Sequence, residues 1–140
     1  MSETHKVFTS NKFRKIKRKI KNKDQELTNI FTQKELDMVM KNISNGTAPG
    51  PDRISNELLK MFYKNNDFKT ILLKLLNACL IKKRTANSWK NSHIFTIYKK
   101  GNPNNPLNYK PIALLPTTYK IYSTLINNRL SNFMEKTIAF

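Results

Sequence analysis

The stretch Tyr98 to Leu115, YKKGNPNNPLNYKPIALL, leaves the backbone fewer options than any other part of the chain. Two short apolar runs, Ile94 to Tyr98 and Ile112 to Leu115, flank a loop of Gly, Asn and Pro. Strand-forming runs separated by such turn chemistry predict a β-hairpin with a long tip. Lysines stand on both arms, at Lys99, Lys100 and Lys110. Two readings are open at this point. One is a twisted arm gripping a polyanion, either a backbone or a triphosphate; the other is an ordinary edge hairpin with solvated lysines.

Charge narrows the partners. The 140 residues suit one domain with a modest core, and 26 Lys and Arg against 9 Asp and Glu give a formal net charge of +17. Self-repulsion of that size favours a polyanionic partner: nucleic acid first, an anionic membrane surface second. Part of the bias has a competing origin in compositional drift, because lysine dominates arginine and asparagine is abundant. Cys79 has no second cysteine to pair with, and its spacing places it on an apolar helix face. His5 and His93 lack neighbours at ligand spacing, so no metal site is predicted. No signal-peptide stretch and no run of about 18 apolar residues is present, which gives a nuclear or cytoplasmic expectation.

Residues 1–30 read as a basic arm or linker, mobile when unbound, with cations including Arg14, Lys15, Lys17, Arg18 and Lys19. An import signal, or a linker from a lost upstream domain, fits the same residues. Order is predicted from Thr32, which forms a capping-box pattern with Glu35 ahead of Leu36, Val39, Met40 and Ile43 at helical spacing. Asn45-Gly46 supplies the stop. The kinked Ala48–Asp52 segment, APGPD, precedes a second helix over Ile54 to Tyr63. A third starts at an Asn65-Asn66-Asp67 cap, and its stripe of Phe68, Ile71, Leu72, Leu75, Leu76, Cys79 and Leu80 reads as core. Trp89 suits an anchor between helix and strand better than a base-stacking role. After the hairpin, Pro116 fits a first helical turn, followed by a long amphipathic helix with Tyr122, Leu125, Ile126, Leu130, Phe133 and Met134. Arg129 falls inside that stripe and needs a carboxylate or carbonyl partner, or must snorkel. The expected fold is α+β and mostly helical, about four helices around one β-hairpin.

Taken in order, these segments resemble the start of a reverse-transcriptase domain of the non-LTR (LINE-type) retrotransposon class. The matching residues are FTQKEL from Phe31, APGPD from Ala48, NELLK from Asn56, Trp89-Lys90, YKKGN from Tyr98, NYKPIALL from Asn108, YKI from Tyr119 and NRL from Asn128. The resemblance implies the fingers of a right-hand polymerase, with the palm missing, over residues 31–140. It implies that the hairpin folds over an incoming nucleotide, with Lys99, Lys100 and Lys110 meeting the triphosphate. It also implies that the loop at Pro49, Gly50, Asp52 and Arg53 lies near the template. RNA template and DNA primer or product are the partners so implied, and Mg2+ and dNTP are cofactors of a complete enzyme rather than of this segment.

This sequence departs from the family pattern at three places. Lys110 stands where arginine is usual, keeping the charge but not the bidentate fork. Arg53 stands where glycine is common, which implies strain if the position needs φ > 0. Ala86 replaces a proline. Such departures suit a decayed element copy. The palm aspartates that would hold two metals are absent: Asp24, Asp37, Asp52 and Asp67 all precede the hairpin, and none are adjacent. No catalytic residue is therefore assigned, and no polymerisation by this segment alone is expected. The alternative reading is a non-catalytic basic RNA- or DNA-binding protein using the arm and the hairpin lysines. Membrane binding is disfavoured by the arm's thin apolar stripe. Apolar faces left uncovered by a missing palm predict marginal stability or self-association.

Overall fold

In a computed structural model of the chain, residues 27–138 are described. They fall into two compact units, residues 31–125 and residues 27–30 with 126–138. The described residues form four α-helices and a two-stranded antiparallel hairpin, the α+β, mostly helical fold expected from the sequence. The basic arm at Arg14 to Lys19 lies outside the described residues.

Helix α1 (Gln33–Asn42) starts on a reciprocal cap. The Thr32 hydroxyl accepts from the Glu35 N–H, and the Thr32 N–H donates to Glu35 Oε2 at 2.7 Å. Loss of such a cap costs about 1 kcal/mol. Leu36, Val39 and Met40 turn inward. Phe31, just upstream, is 1% exposed and held by a two-way amide clamp: its N–H donates to Asn77 Oδ1 and its carbonyl accepts from Asn77 Nδ2.

Helix α2 (Asn56–Phe62) begins two residues later than the periodicity predicts. The reason is Ser55, whose hydroxyl accepts from the Leu58 N–H and so makes Ser55 the cap and Ile54 the extended residue before it. Helix α3 (Asn66–Ile81) starts where expected, with Asn65 Oδ1 accepting from the Asp67 and Phe68 N–H groups. Its apolar stripe is wider than the surface that covers it. Leu72, Leu76 and Cys79 form the buried seam, and Phe68, Leu73 and Leu80 flank it. Ile71 and Leu75 are exposed, contrary to the sequence reading, because covering neighbours reach only one side of the helix.

Trp89 is buried against Tyr119 and Tyr122, with ring centroids 6.0 and 5.7 Å away. It is a packing anchor, as read from the sequence, although its aromatic neighbours sit on a helix rather than a strand. With Phe31, Leu36, Leu59, Ile121 and Leu125 it closes the core of this unit. Each such side chain contributes about 1.5–3 kcal/mol by leaving water.

The hairpin pairs β1 (His93–Tyr98) with β2 (Tyr109–Leu114), in a register that sets Phe95 opposite Ile112 and Ile97 opposite Lys110. Strand β2 starts three residues before the apolar run that marks it in the sequence. Helix α4 (Thr117–Ile138) follows, with Pro116 standing before its first turn rather than in it. In its later part Phe133 is buried while Leu130 and Met134 are exposed. Arg129 finds the carbonyl partners its position demands, the main-chain oxygens of Asn29 and Ile30.

Candidate nucleic-acid interface

The APGPD segment folds as a tight turn. The Arg53 N–H donates to the Gly50 carbonyl at 3.0 Å, Pro51 presets the second position, and Asp52 Oδ1 accepts from the Ile54 N–H. Arg53 has φ +56, so the position does require the left-handed region for which glycine is suited. Gly50 is buried, and a β-carbon there would stand 2.4 Å from the Leu115 carbonyl carbon. Two further bonds tie the segment to the start of α4. The Thr117 hydroxyl donates to the Ile54 carbonyl at 2.6 Å, and Lys120 Nζ donates to the Ala48 carbonyl at 3.3 Å.

These contacts join motifs far apart in sequence. Leu115 directly follows β2, so the APGPD turn is fastened to the base of the hairpin. Pro49, Asp52 and Arg53 face solvent on the turn; Gly50 faces inward. The fastening residues Thr117 and Lys120 escape sequence reasoning, because a threonine opening a helix and a lysine on it have common structural uses.

Strand pairing settles where the hairpin lysines stand. The Lys99 N–H donates to the Asn108 carbonyl at 2.8 Å, continuing the register. Alternation of bonded and non-bonded pairs then makes Ile97 and Lys110 a bonded pair and Thr96 and Pro111 a non-bonded one. Pro111 therefore sits mid-strand without deleting a ladder bond. The same alternation puts Lys99 and Lys110 on one face as diagonal neighbours, with about 7–8 Å between such positions. Lys100 lies past the end of β1. All three lysines are exposed.

The tip is held by its own side chains. Tyr98 donates to the Gly101 carbonyl, Asn108 Nδ2 to the Asn102 carbonyl, and Tyr109 to the Pro103 carbonyl. Gly101, at φ +99, packs against the Asn108 side chain. Asparagines that look like a low-complexity run are thus turn-forming groups with individual partners.

Beside the APGPD turn lies a cleft of about 200 Å³, lined by Ile43, Thr47, Asn56, Thr117, Lys120 and Thr124 among others. Asn56 is buried, and its Nδ2 donates to the Ser44 carbonyl and the Thr47 hydroxyl.

The carboxylates are engaged separately. Asp37 accepts from the Tyr63 hydroxyl at 2.6 Å and from Gln33 Nε2, and these bonds hold its pKa below the usual carboxylate range. Burial, then the bond to Asp37, push the Tyr63 hydroxyl well above an ordinary tyrosine. Glu57 accepts from the Gly46 N–H, which lowers its pKa. Among the described residues no three His, Cys, Asp or Glu side chains converge as metal ligands. The donor set does not fit a two-metal centre.

Sequence comparison places this geometry in a family. No protein-family profile matches the chain. The chain is 36% identical over 93 residues to the probable RNA-directed DNA polymerase from transposon X-element of Drosophila melanogaster, covering 66% of this chain and 10% of the relative. It is 35% identical over 92 residues, 64% of this chain and 10% of the relative, to the probable RNA-directed DNA polymerase from transposon BS of the same organism. It is also 31% identical over 93 residues, 66% of this chain and 10% of the relative, to the RNA-directed DNA polymerase from mobile element jockey, again of Drosophila melanogaster. The chain is thus related to transposon-encoded RNA-directed DNA polymerases. Within that class the relatives belong to non-LTR transposons, and the chain is similar to one segment of their polymerases. The matched stretch amounts to a tenth of each relative.

Proposed function

We propose that this chain is the fingers part of a non-LTR reverse transcriptase, positioning template and incoming nucleotide without performing polymerisation itself. One observation carries the reading: the APGPD turn and the base of the lysine-bearing hairpin meet at Gly50 and Leu115. A turn that presents Pro49, Asp52 and Arg53 is thereby held rigidly against an arm that presents Lys99 and Lys110. Lysine on such a face is a mobile point charge for phosphate. With Lys110 in place of arginine, the arm would attract a triphosphate without fixing it bidentately. Metal ligation and the chemical step are not assigned to the described residues, whose carboxylates are dispersed. The exposed Ile94, Phe95 and Ile97 make self-association at high concentration part of the same proposal.

The test is photo-crosslinking of the full chain to a 4-thiouridine-labelled RNA and to an azido-dNTP, followed by peptide mapping. Crosslinks at residues 49–53 and 99–110 are expected. Crosslinks confined to the arm at residues 12–23 would instead favour a non-catalytic basic RNA- or DNA-binding protein.

A further inference from the structure

We infer that the Lys82-Lys83-Arg84 turn, with Lys90, is a second contact for a nucleic-acid phosphate backbone, distinct from the hairpin and the APGPD turn. The inference rests on the nucleic-acid reading above.

The turn is a defined structure. At the end of α3 the Arg84 N–H donates to the Cys79 carbonyl at 3.1 Å and the Lys83 N–H to the Leu80 carbonyl at 3.2 Å. This is the paired closure that ends many helices, with the first residue past the cap in the left-handed region. Glycine normally fills that place, because a β-carbon there crowds the following carbonyl oxygen. Here it is Lys83, at φ +50. Among the described residues only two non-glycine positions have positive φ, and both, Arg53 and Lys83, are cations. Backbone strain kept at a charged residue is a pointer to use rather than to stability.

The surroundings point the same way. From Phe68 to Leu125 the sequence holds ten Lys and Arg and no Asp or Glu. Lys82, Lys83, Arg84 and Lys90 are all exposed, and among the described residues none of the four forms an ion pair. Attraction to the helix dipole is modest at an exposed site and fades beyond the last turn. It accounts for one cation near the terminus, not for three in succession with one of them strained. The platform is also rigid: Cys79 on one side and Trp89 on the other are buried in the core. Cations mounted on such a turn lose little freedom on meeting phosphate.

Fluorescence anisotropy with a labelled mixed-sequence single-stranded RNA, over a range of NaCl concentrations, tests the assignment on the full chain. One variant carries Lys82→Gln, Lys83→Asn and Arg84→Gln; asparagine tolerates the left-handed backbone. A second carries Lys34→Gln, Lys41→Gln and Lys64→Gln, removing the same charge from exposed sites on or just beyond α1 and α2. Each phosphate contact on a single strand contributes about 0.7 to the salt slope, so the first variant should lose about 2 in slope and the second almost nothing. The single change Lys83→Gly should raise the melting temperature while weakening binding, a combination a purely structural lysine cannot give. Equal loss in both triple variants would make the effect one of net charge and overturn the second contact, leaving the functional reading intact. An unmodified chain that binds no RNA would overturn both. Tight binding to anionic phosphatidylserine vesicles by the chain, lost with the first variant only, would assign the turn to a membrane surface and also overturn it.

Discussion

Gly50 stands so close to Leu115 that a β-carbon on it would lie 2.4 Å from the Leu115 carbonyl carbon and 2.5 Å from the carbonyl oxygen and from Pro116 N. Its backbone is not left-handed; absence of a side chain, not conformational freedom, is what the position requires. Both neighbours are main chain, so no rotamer change can make room.

Gly50→Ala should therefore destabilise the chain by about 1–3 kcal/mol, the cost of forcing extra volume into a filled site. Thermal melts followed by circular dichroism read this directly. Because Leu115 directly follows β2, amide exchange should also quicken in that strand. A melt unchanged from the original would mean the turn and the hairpin base are not fastened together.

Arg53 presents the reverse case. Its left-handed backbone at φ +56 favours glycine, so Arg53→Gly should stabilise by about 0.5–1 kcal/mol after glycine's extra unfolded-state freedom is subtracted. If Arg53 also contacts template phosphate, the same change should lower the RNA-binding salt slope by about 1. A more stable variant with an unchanged slope would assign Arg53 no role in binding.

These two residues also show how far a sequence carries. The left-handed requirement at Arg53 was legible because the resemblance marks the position as glycine, and the caps at Thr32 and Asn65 and the existence of the hairpin, though not its register, were legible from short-range chemistry. What escaped was long-range and mostly backbone-mediated. Gly50 against Leu115, Thr117 on the Ile54 carbonyl and Lys120 on the Ala48 carbonyl leave no periodic mark in either partner. The stripe of α3 misled for a related reason: periodicity reports which residues could be buried, and only neighbouring elements decide that Leu72 and Leu76 are while Ile71 and Leu75 are not.

The Asp37–Tyr63 bond predicts a pH dependence with a definite sign. Hydrogen bonds from Tyr63, then Gln33, lower the Asp37 pKa in the folded chain. A lowered carboxylate pKa adds stability that is present above its unfolded value of about 4 and is lost as pH falls through the folded value. The melting temperature should thus drop below about pH 4, and Tyr63→Phe should flatten that acid limb. At neutral pH the same change should cost about 1 kcal/mol, near the low end for a bond to a charged group because Asp37 is exposed. An acid limb of identical depth in both proteins would remove Asp37 as its source.

The hairpin offers a test that conserves composition and net charge. Exchanging two neighbours, Lys110→Pro with Pro111→Lys, places proline in the bonded pair with Ile97 and turns the lysine to the opposite face. Proline there deletes the Lys110 N–H from the ladder and leaves the Ile97 carbonyl without its partner. Two-stranded hairpins are marginal on their own, so one lost bond should fray β1 and β2 and raise amide exchange across Phe95 to Lys99. Lys99 then loses its diagonal cation. Azido-dNTP crosslinking to the hairpin should fall by about tenfold, equivalent to 1.4 kcal/mol, whereas the swap Tyr109→Phe, which keeps both lysines in place, should leave it near the original. Crosslinking that survives the exchange undiminished would show that total charge, not the shared face of Lys99 and Lys110, attracts the triphosphate.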